Sequence, residues 1–144
     1  MIRPARSIVL ALATVAALAV TGAGTAQGAP AIPLNTGQET PAPTEGGAHG
    51  RFSYEIDGTE LCYTLEAKGL SSPAISAHIH VGPRNTAGPV VVPLMVENAT
   101  SFEVSDCTTA SAAVLAQIED SPKSYYVNVH TVTNAPGEIR GQLK

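Results

Sequence analysis

The segment "RFSYEIDGTELCYTLEAK", residues 51–68, decides the fold class because apolar and polar residues alternate along it. Such a period of two is typical of β-strands that bury one face. The two alternating runs are separated by a short Asp-Gly-Thr link, which predicts a β-hairpin. The apolar positions are Phe52, Tyr54 and Ile56 in the first run and Leu61, Tyr63 and Leu65 in the second.

Five further runs outside this hairpin are short, β-branched or alternating: "AISAHIHVG", "GPVVVPLMV", "TSFEVS", "YYVNVHTVT" and "GEIRGQL". Residues 30–50 contain too many helix breakers for a regular helix and predict a loose leader or an edge strand followed by a loop. Residues 106–122, "DCTTASAAVLAQIEDSP", predict one short helix with a threonine cap and a proline stop. The whole pattern predicts an all-β antiparallel sandwich or barrel of seven or eight strands.

The first 28 residues have the three-part order of a secretory signal peptide. Arg3 and Arg6 precede an uncharged apolar run over residues 8–20, and small residues follow. The run is shorter than the roughly 20 residues that a membrane span requires, so no membrane span is expected. We therefore expect residues 1–28 to be removed on export and residues 29–144 to form one secreted domain.

The charge balance argues against nucleic acid and membrane partners. Without the two signal-peptide arginines, six basic residues face twelve acidic ones, which gives the expected mature chain a net charge of −6. An acidic surface with scattered lysines has no basic patch for phosphate backbones or anionic lipids. The sequence also lacks a nucleophile elbow and a phosphate-binding loop, so nothing in it indicates a hydrolase.

The chain has two cysteines, Cys62 and Cys107. In an exported protein such a pair predicts a disulfide bond. The alternative is a pair of thiols that act as metal ligands or redox groups. Those sites usually show a close C-x-x-C spacing, which is missing here.

Two of the four histidines, His78 and His80, lie one residue apart in "AHIHV" and face the same side of a predicted strand. Their Cα atoms are expected about 6.6 Å apart, close enough for both imidazoles to bind one metal ion. His130 in "YYVNVHTVT" would complete a three-histidine site for zinc or copper if its strand pairs with theirs. The alternatives are that the pair is merely solvated and that His130 hydrogen-bonds to backbone.

Two other segments carry polar candidates. His49 in "GGAHGR" could supply or merely border such a site. Near the end of the sequence, Arg140 and Gln142 alternate with apolar residues. This pattern predicts a half-exposed terminal strand, or a strand that Arg140 anchors through a carboxylate.

The blocks "LNTGQETP", "LCYTLEAKGL", "AHIHVGP", "YYVNVHT" and "GEIRGQL" occur in an order that resembles the CHRD domain, the module named after chordin. The resemblance runs from about Leu34 to Leu143. It implies an immunoglobulin-like β-structure that occurs singly in many exported bacterial proteins, whereas in chordin it belongs to an extracellular antagonist of growth-factor ligands. The family pattern falls on Gly37, Glu39, Pro41, Gly50, His78, His80, Gly88, Pro89, Asn128, His130, Arg140, Gly141 and Gln142.

The His-x-His pair is also similar to the copper-binding strand of copper–zinc superoxide dismutase, an exported β-sandwich. That likeness covers only a few residues. The long zinc-binding loop of the enzyme has no counterpart between Val81 and Val90.

Three functional hypotheses follow. The first is a secreted binding module, for an unknown extracellular partner or for copper or zinc held by the three strand histidines. The second is a redox metalloenzyme similar to superoxide dismutase. The third is a structural domain in which the histidines form a buried network with Asn128, Arg140 and Gln142. A binding role is preferred to an enzymatic one.

Overall fold

The computed structural model of the chain describes residues 30–144, so the predicted signal peptide lies outside the described residues. One 3-10 turn covers Thr36–Gln38 and another covers Pro122–Ser124. The elements are β1 (Ile32–Asn35), β2 (His49–Asp57), β3 (Glu60–Lys68), β4 (Ala74–Val81), β5 (Val90–Leu94), β6 (Phe102–Thr109), α1 (Ala112–Asp120), β7 (Tyr125–Thr131) and β8 (Ile139–Gln142). The predicted all-β class and single short helix are confirmed.

The eight strands join one antiparallel sheet in the order β5-β4-β7-β8-β1-β2-β3-β6. The edge strands β5 and β6 also approach each other, so the sheet is nearly barrel-shaped. Strand β1 lies between β8 and β2, and the prediction of an edge strand was therefore wrong. Strand β8 is buried between β7 and β1, so the half-exposed terminal strand was also wrong. Strands β1 and β8 pair with each other, so each has a neighbouring strand on both sides.

The predicted hairpin is formed by β2 and β3. Gly58 in its turn has a φ of +60°, a conformation that glycine adopts without strain. The alternation then buries Phe52, Leu61 and Leu65 completely in the core. Burying a side chain of this size stabilises the fold by about 1.5–3 kcal/mol.

Helix α1 begins later than predicted. Its cap is Ser111, whose side chain accepts a hydrogen bond from the Val114 N–H, so the predicted threonine cap was wrong. Residues 106–109 belong instead to β6, because they continue its ladder with β3. The helix packs Leu115 and Ile118 onto the core. Within residues 30–144 no helix has the length and hydrophobicity needed to cross a membrane.

The predicted disulfide bond between Cys62 and Cys107 is confirmed. The two residues lie directly opposite each other on β3 and β6. The bond therefore ties the edge strand β6 to the sheet. Because both side chains point away from the core, it lies on the solvent side of this pair of strands.

Every strand has an inner face toward the core and an outer face. The outer face of β2, β3 and β6 is open to solvent. The outer face of β4, β7 and β8 is instead covered by the loops at residues 82–89 and 132–138, and by the loop at residues 36–48 through Glu39, which lies beside Asn128. We call the side chains between these loops and the sheet the polar layer: Glu39, His78, His80, Tyr126, Asn128, His130, Arg140 and Gln142.

Candidate metal centre

Three histidines of the polar layer meet because β4 pairs with β7. The register places His78 opposite Asn128 and Ser76 opposite His130, so His130 lies diagonally across from His78. The Nδ1 atom of His78 lies 3.0 Å from the Nε2 atom of His130. One nitrogen from each of the three rings, including His80, lies within 4.8 Å of the others. Ligands about 2 Å from a shared ion lie about 3–4 Å apart, so small ring movements would complete such a site.

Backbone carbonyls orient two of the three rings. His80 Nδ1 lies 2.8 Å from the Gly88 carbonyl, and His130 Nδ1 lies 2.9 Å from the Ala135 carbonyl. A carbonyl only accepts, so each Nδ1 carries the proton and each Nε2 keeps a free electron pair. Outer-shell bonds of this kind fix the tautomer of metal-binding histidines.

The free electron pairs on the Nε2 atoms of His130 and His80 have different surroundings. The Nε2 atom of His130 accepts a hydrogen bond from the Nδ1–H of His78. The Nε2 atom of His80 is buried and has no hydrogen-bond partner among the described residues. A buried nitrogen left in this way has lost its hydration without compensation, which is unusual in native proteins.

The site keeps all three rings uncharged at neutral pH. Burial, together with the neighbouring His130 and His80 rings, lowers the pKa of His78 to about 4. Burial also lowers the pKa of His80 and of His130, although their bonds to backbone carbonyls partly oppose this. Neutral imidazole is the form that binds metal ions, so binding at pH 7 requires no net loss of protons. The proton on His78 Nδ1 must, however, move to Nε2 of the same ring before Nδ1 can bind an ion.

Tyr126 supports the site from beside His80. The two rings are stacked, with centroids 4.8 Å apart and planes 7° from parallel. The guanidinium carbon of Arg140 lies 3.3 Å from the centroid of the same tyrosine ring. Because β7 lies between β4 and β8, histidine and arginine approach the ring from opposite strands. The Tyr126 hydroxyl also accepts a hydrogen bond from the Gly88 N–H, next to the carbonyl that holds His80.

The remaining polar side chains hold the covering loops rather than one another. Arg140 donates to the carbonyls of Thr86 and Pro83, and no carboxylate takes that place. Gln142 donates to the carbonyl of Gly82 as well as to backbone before and at the start of β7. A hydrogen bond from Arg140 to Gln142 links the two side chains. The predicted network therefore bonds mainly to backbone.

Sequence reasoning gave no role to Glu39, a buried carboxyl of the polar layer. Burial raises its pKa from 4.5 to about 7, although Arg140 and Asn128 oppose the shift. Its Oε1 atom and the Oδ1 atom of Asn128 have no hydrogen-bond partner among the described residues. Gly137 has a φ of +137°, and a Cβ atom there would collide with the side chains of Glu39 and Asn128, so the position favours glycine. The signal for Glu39 was its position in the family pattern.

His49 lies outside this cluster. Its exposed ring is on β2 and contacts the Gly47 carbonyl, 3.0 Å from Nδ1. It is absent from the group of histidines whose nitrogens converge. Cys62 and Cys107 lie near Glu60, but their sulfur atoms are joined in the disulfide bond.

Comparisons with known proteins identify one family. A family model described as CHRD domain matches residues 31–143, which is nearly the whole of the described chain. Neither the curated proteins nor the solved structures contain a significant match.

Proposed function

Because the chain belongs to the CHRD domain family, we propose that it is an exported domain that binds one copper or zinc ion through His78, His80 and His130. The observation that carries the proposal is the unpartnered, buried Nε2 atom of His80 beside two other imidazoles. A metal ion supplies the missing partner for that nitrogen. Three neutral imidazoles match the ligand preferences of both metals.

Access to the site supports binding rather than permanent enclosure. His78 is only partly buried, whereas His80 and His130 are buried. An ion held by the three rings would therefore keep an open position toward solvent on the side of His78. Three protein ligands with a fourth position open are typical of accessible metal sites.

Export and fold type belong to the same proposal. Disulfide bonds persist in oxidising compartments, and the bond between Cys62 and Cys107 fits a secreted protein. CHRD domains are typically extracellular, which agrees with a signal peptide at residues 1–28. The immunoglobulin-like or superoxide-dismutase-like sandwich stays a prediction that the family resemblance supports.

Metal stoichiometry tests the proposal. Wild type, His80→Ala and His49→Ala are stripped of metal, titrated with Zn²⁺ or Cu²⁺ by calorimetry, and assayed by elemental analysis. We expect one ion per wild-type chain, the same for His49→Ala, and affinity weakened more than about 100-fold in His80→Ala. Absence of bound metal in the wild type, or equal binding by His80→Ala, would contradict the proposal.

A second function is supported by the partly exposed His78. A copper ion with an open position can react with superoxide, which would make the protein a redox enzyme. A superoxide-consumption assay on copper-loaded protein tests this directly. An inactive loaded sample eliminates the enzyme hypothesis but leaves metal binding intact.

The structural hypothesis rests on the bonds between the polar layer and the loops. If these residues only stabilise the fold, thermal unfolding is the same with metal and with chelator. If they bind metal, excess ion raises the unfolding temperature, because a ligand that binds only the folded state stabilises it. His80→Ala should abolish that increase.

A further inference from the structure

A cleft that includes Arg84 of loop 82–89 lies apart from the histidines. It has a volume of about 560 Å³ and opens where β1 and β8 meet the turn before β7. Volumes of about 300–1,000 Å³ are typical of sites for small organic molecules. None of the histidines lines this cleft.

The rim of the cleft is cationic. Arg84, Lys123 and Lys144 line it, and none of its lining residues is acidic. These are three of the six basic residues in the described part of an otherwise acidic chain. Within residues 30–144 their charged groups form no ion pair, whereas Lys68 pairs with Glu66. Unpaired cations around one cleft attract an anion.

The floor of the cleft is apolar. Ile32 and Leu143 lie beneath it with only 3% and 1% of their surface exposed, so of the apolar lining residues Pro33 offers the exposed hydrocarbon. An inorganic anion gains nothing from such a floor, whereas a hydrocarbon or aromatic body gains contact and loses hydration. The combination fits a ligand with one apolar end and one negatively charged end.

The polar layer fixes the rim in position. Arg140 donates to the carbonyls of Pro83 and Thr86, which flank Arg84 in the loop. Gln142 donates to the carbonyl of Lys123 at 2.8 Å. Two rim cations therefore stand on backbone that is already held in place, which lowers the ordering cost of binding.

We infer that this cleft binds a small organic acid, with its carboxylate at Arg84 and Lys123 and its apolar body against Pro33, above the buried Ile32 and Leu143. The site is separate from the histidine cluster and does not depend on a metal ion. A large acidic polymer is a poorer fit, because the surface beyond the rim is acidic overall.

Octanoate is a suitable probe, with octanol as the neutral analogue and inorganic phosphate as the anion without an apolar body. Calorimetric titrations are run on the full secreted chain in excess chelator, so that failure of the metal proposal does not affect the result. The variants are the double substitution Arg84→Gln with Lys123→Gln, and Lys68→Gln as a control that neutralises an exposed cation elsewhere. Amide NMR shifts of residues 32, 84, 123 and 143 locate the bound probe.

We expect saturable octanoate binding by wild type and Lys68→Gln, and binding about tenfold weaker in the double variant. Octanol and phosphate should each bind more weakly than octanoate. Three results would overturn the inference: no saturable octanoate binding by the wild type, equal binding by the double variant, or phosphate binding as tight as that of octanoate. Unchanged thermal unfolding of the double variant shows that its loss of affinity is not a loss of fold.

Discussion

The outer faces of the two halves of the sheet carry polar residues in the same alternating pattern but have opposite surroundings. On β2, β3 and β6 these residues meet water, and the disulfide bond lies among them. On β4, β7 and β8 they lie beneath three loops, and Arg140 and Asn128 are each 1% exposed. The difference shows that coverage by loops, rather than the residue pattern of the strands, decides whether the polar side chains of a face are buried.

Coverage changes what each polar atom requires. An exposed group exchanges one water partner for another at little cost, but a buried group without a partner costs about 1–3 kcal/mol. We call β4, β7 and β8 the covered half and β2, β3 and β6 the open half. In the covered half, loop carbonyls accept hydrogen bonds from most of the polar side chains, but a few buried atoms, such as His80 Nε2, have no hydrogen-bond partner among the described residues. A ligand that bonds to such an unpartnered atom removes this cost, so these atoms are where binding is most favourable.

The largest contrast is expected between Arg140→Ala and Arg51→Ala. The first removes the donor to the carbonyls of Pro83 and Thr86 and the cation above Tyr126, and should lower the free energy of unfolding by about 4 kcal/mol. The second removes an exposed cation of the open half and should change it by less than about 0.5 kcal/mol. Urea unfolding measures both.

Arg140→Lys is the matched control for the covered half. It keeps the charge but loses the planar fork that reaches two carbonyls, so we expect an intermediate loss. Similar losses for Arg140→Ala and Arg51→Ala would mean that the two faces do not differ in the way described.

The second contrast concerns the disulfide bond of the open half. Replacing Cys62 and Cys107 together with Ser opens a link between residues 45 apart in sequence and should cost up to about 4 kcal/mol. The affinity for zinc should not change, because the bond lies on the other half of the sheet. A loss of zinc affinity in a folded variant would show that the halves are coupled.

The smallest of the three effects is expected for Glu39→Gln. The pKa of Glu39 is about 7 in the fold against 4.5 in the unfolded chain, so between these pH values the folded state holds a proton that the unfolded state releases. Stability from this group is therefore present below pH 4.5 and is lost as the pH rises to about 7. At pH 8 Glu39→Gln should be more stable than wild type by about 2 kcal/mol.

Wild type must be compared with Glu39→Gln, because the histidines titrate in an overlapping pH range and change the stability with pH in the opposite direction. Their lowered pKa values make wild-type stability rise with pH up to about 6.5. The difference between wild type and Glu39→Gln, measured in chelator at pH 4.5 and 8, isolates the carboxyl. A constant difference across this range would contradict a buried, protonated Glu39.

Much of the open half, and the meeting of the three histidines in the covered half, could be predicted from local patterns. The hairpin of β2 and β3 follows from alternation and a glycine turn, and the disulfide bond follows from a cysteine pair in a chain that is expected to be exported. The shared side of His78 and His80 also follows from alternation, and the approach of His130 required only that β4 pair with β7. These are effects of period and short-range chemistry.

The covered half depended on contacts that local patterns do not contain. The pairing of β1 with β8 joins the two ends of the described chain, so neither segment alone shows that it is central. The partners of Arg140 and His80 are backbone carbonyls of a loop, which any residue type supplies. Glu39 lies in a proline- and glycine-rich stretch where burial has no sequence signature.

X-ray absorption at the zinc edge of the zinc-loaded protein tests most directly whether the covered half is a metal site. We predict three imidazole nitrogens at about 2.0–2.1 Å, with the same spectrum for His49→Ala. A first shell of oxygen atoms alone, or with a single imidazole, would contradict the account.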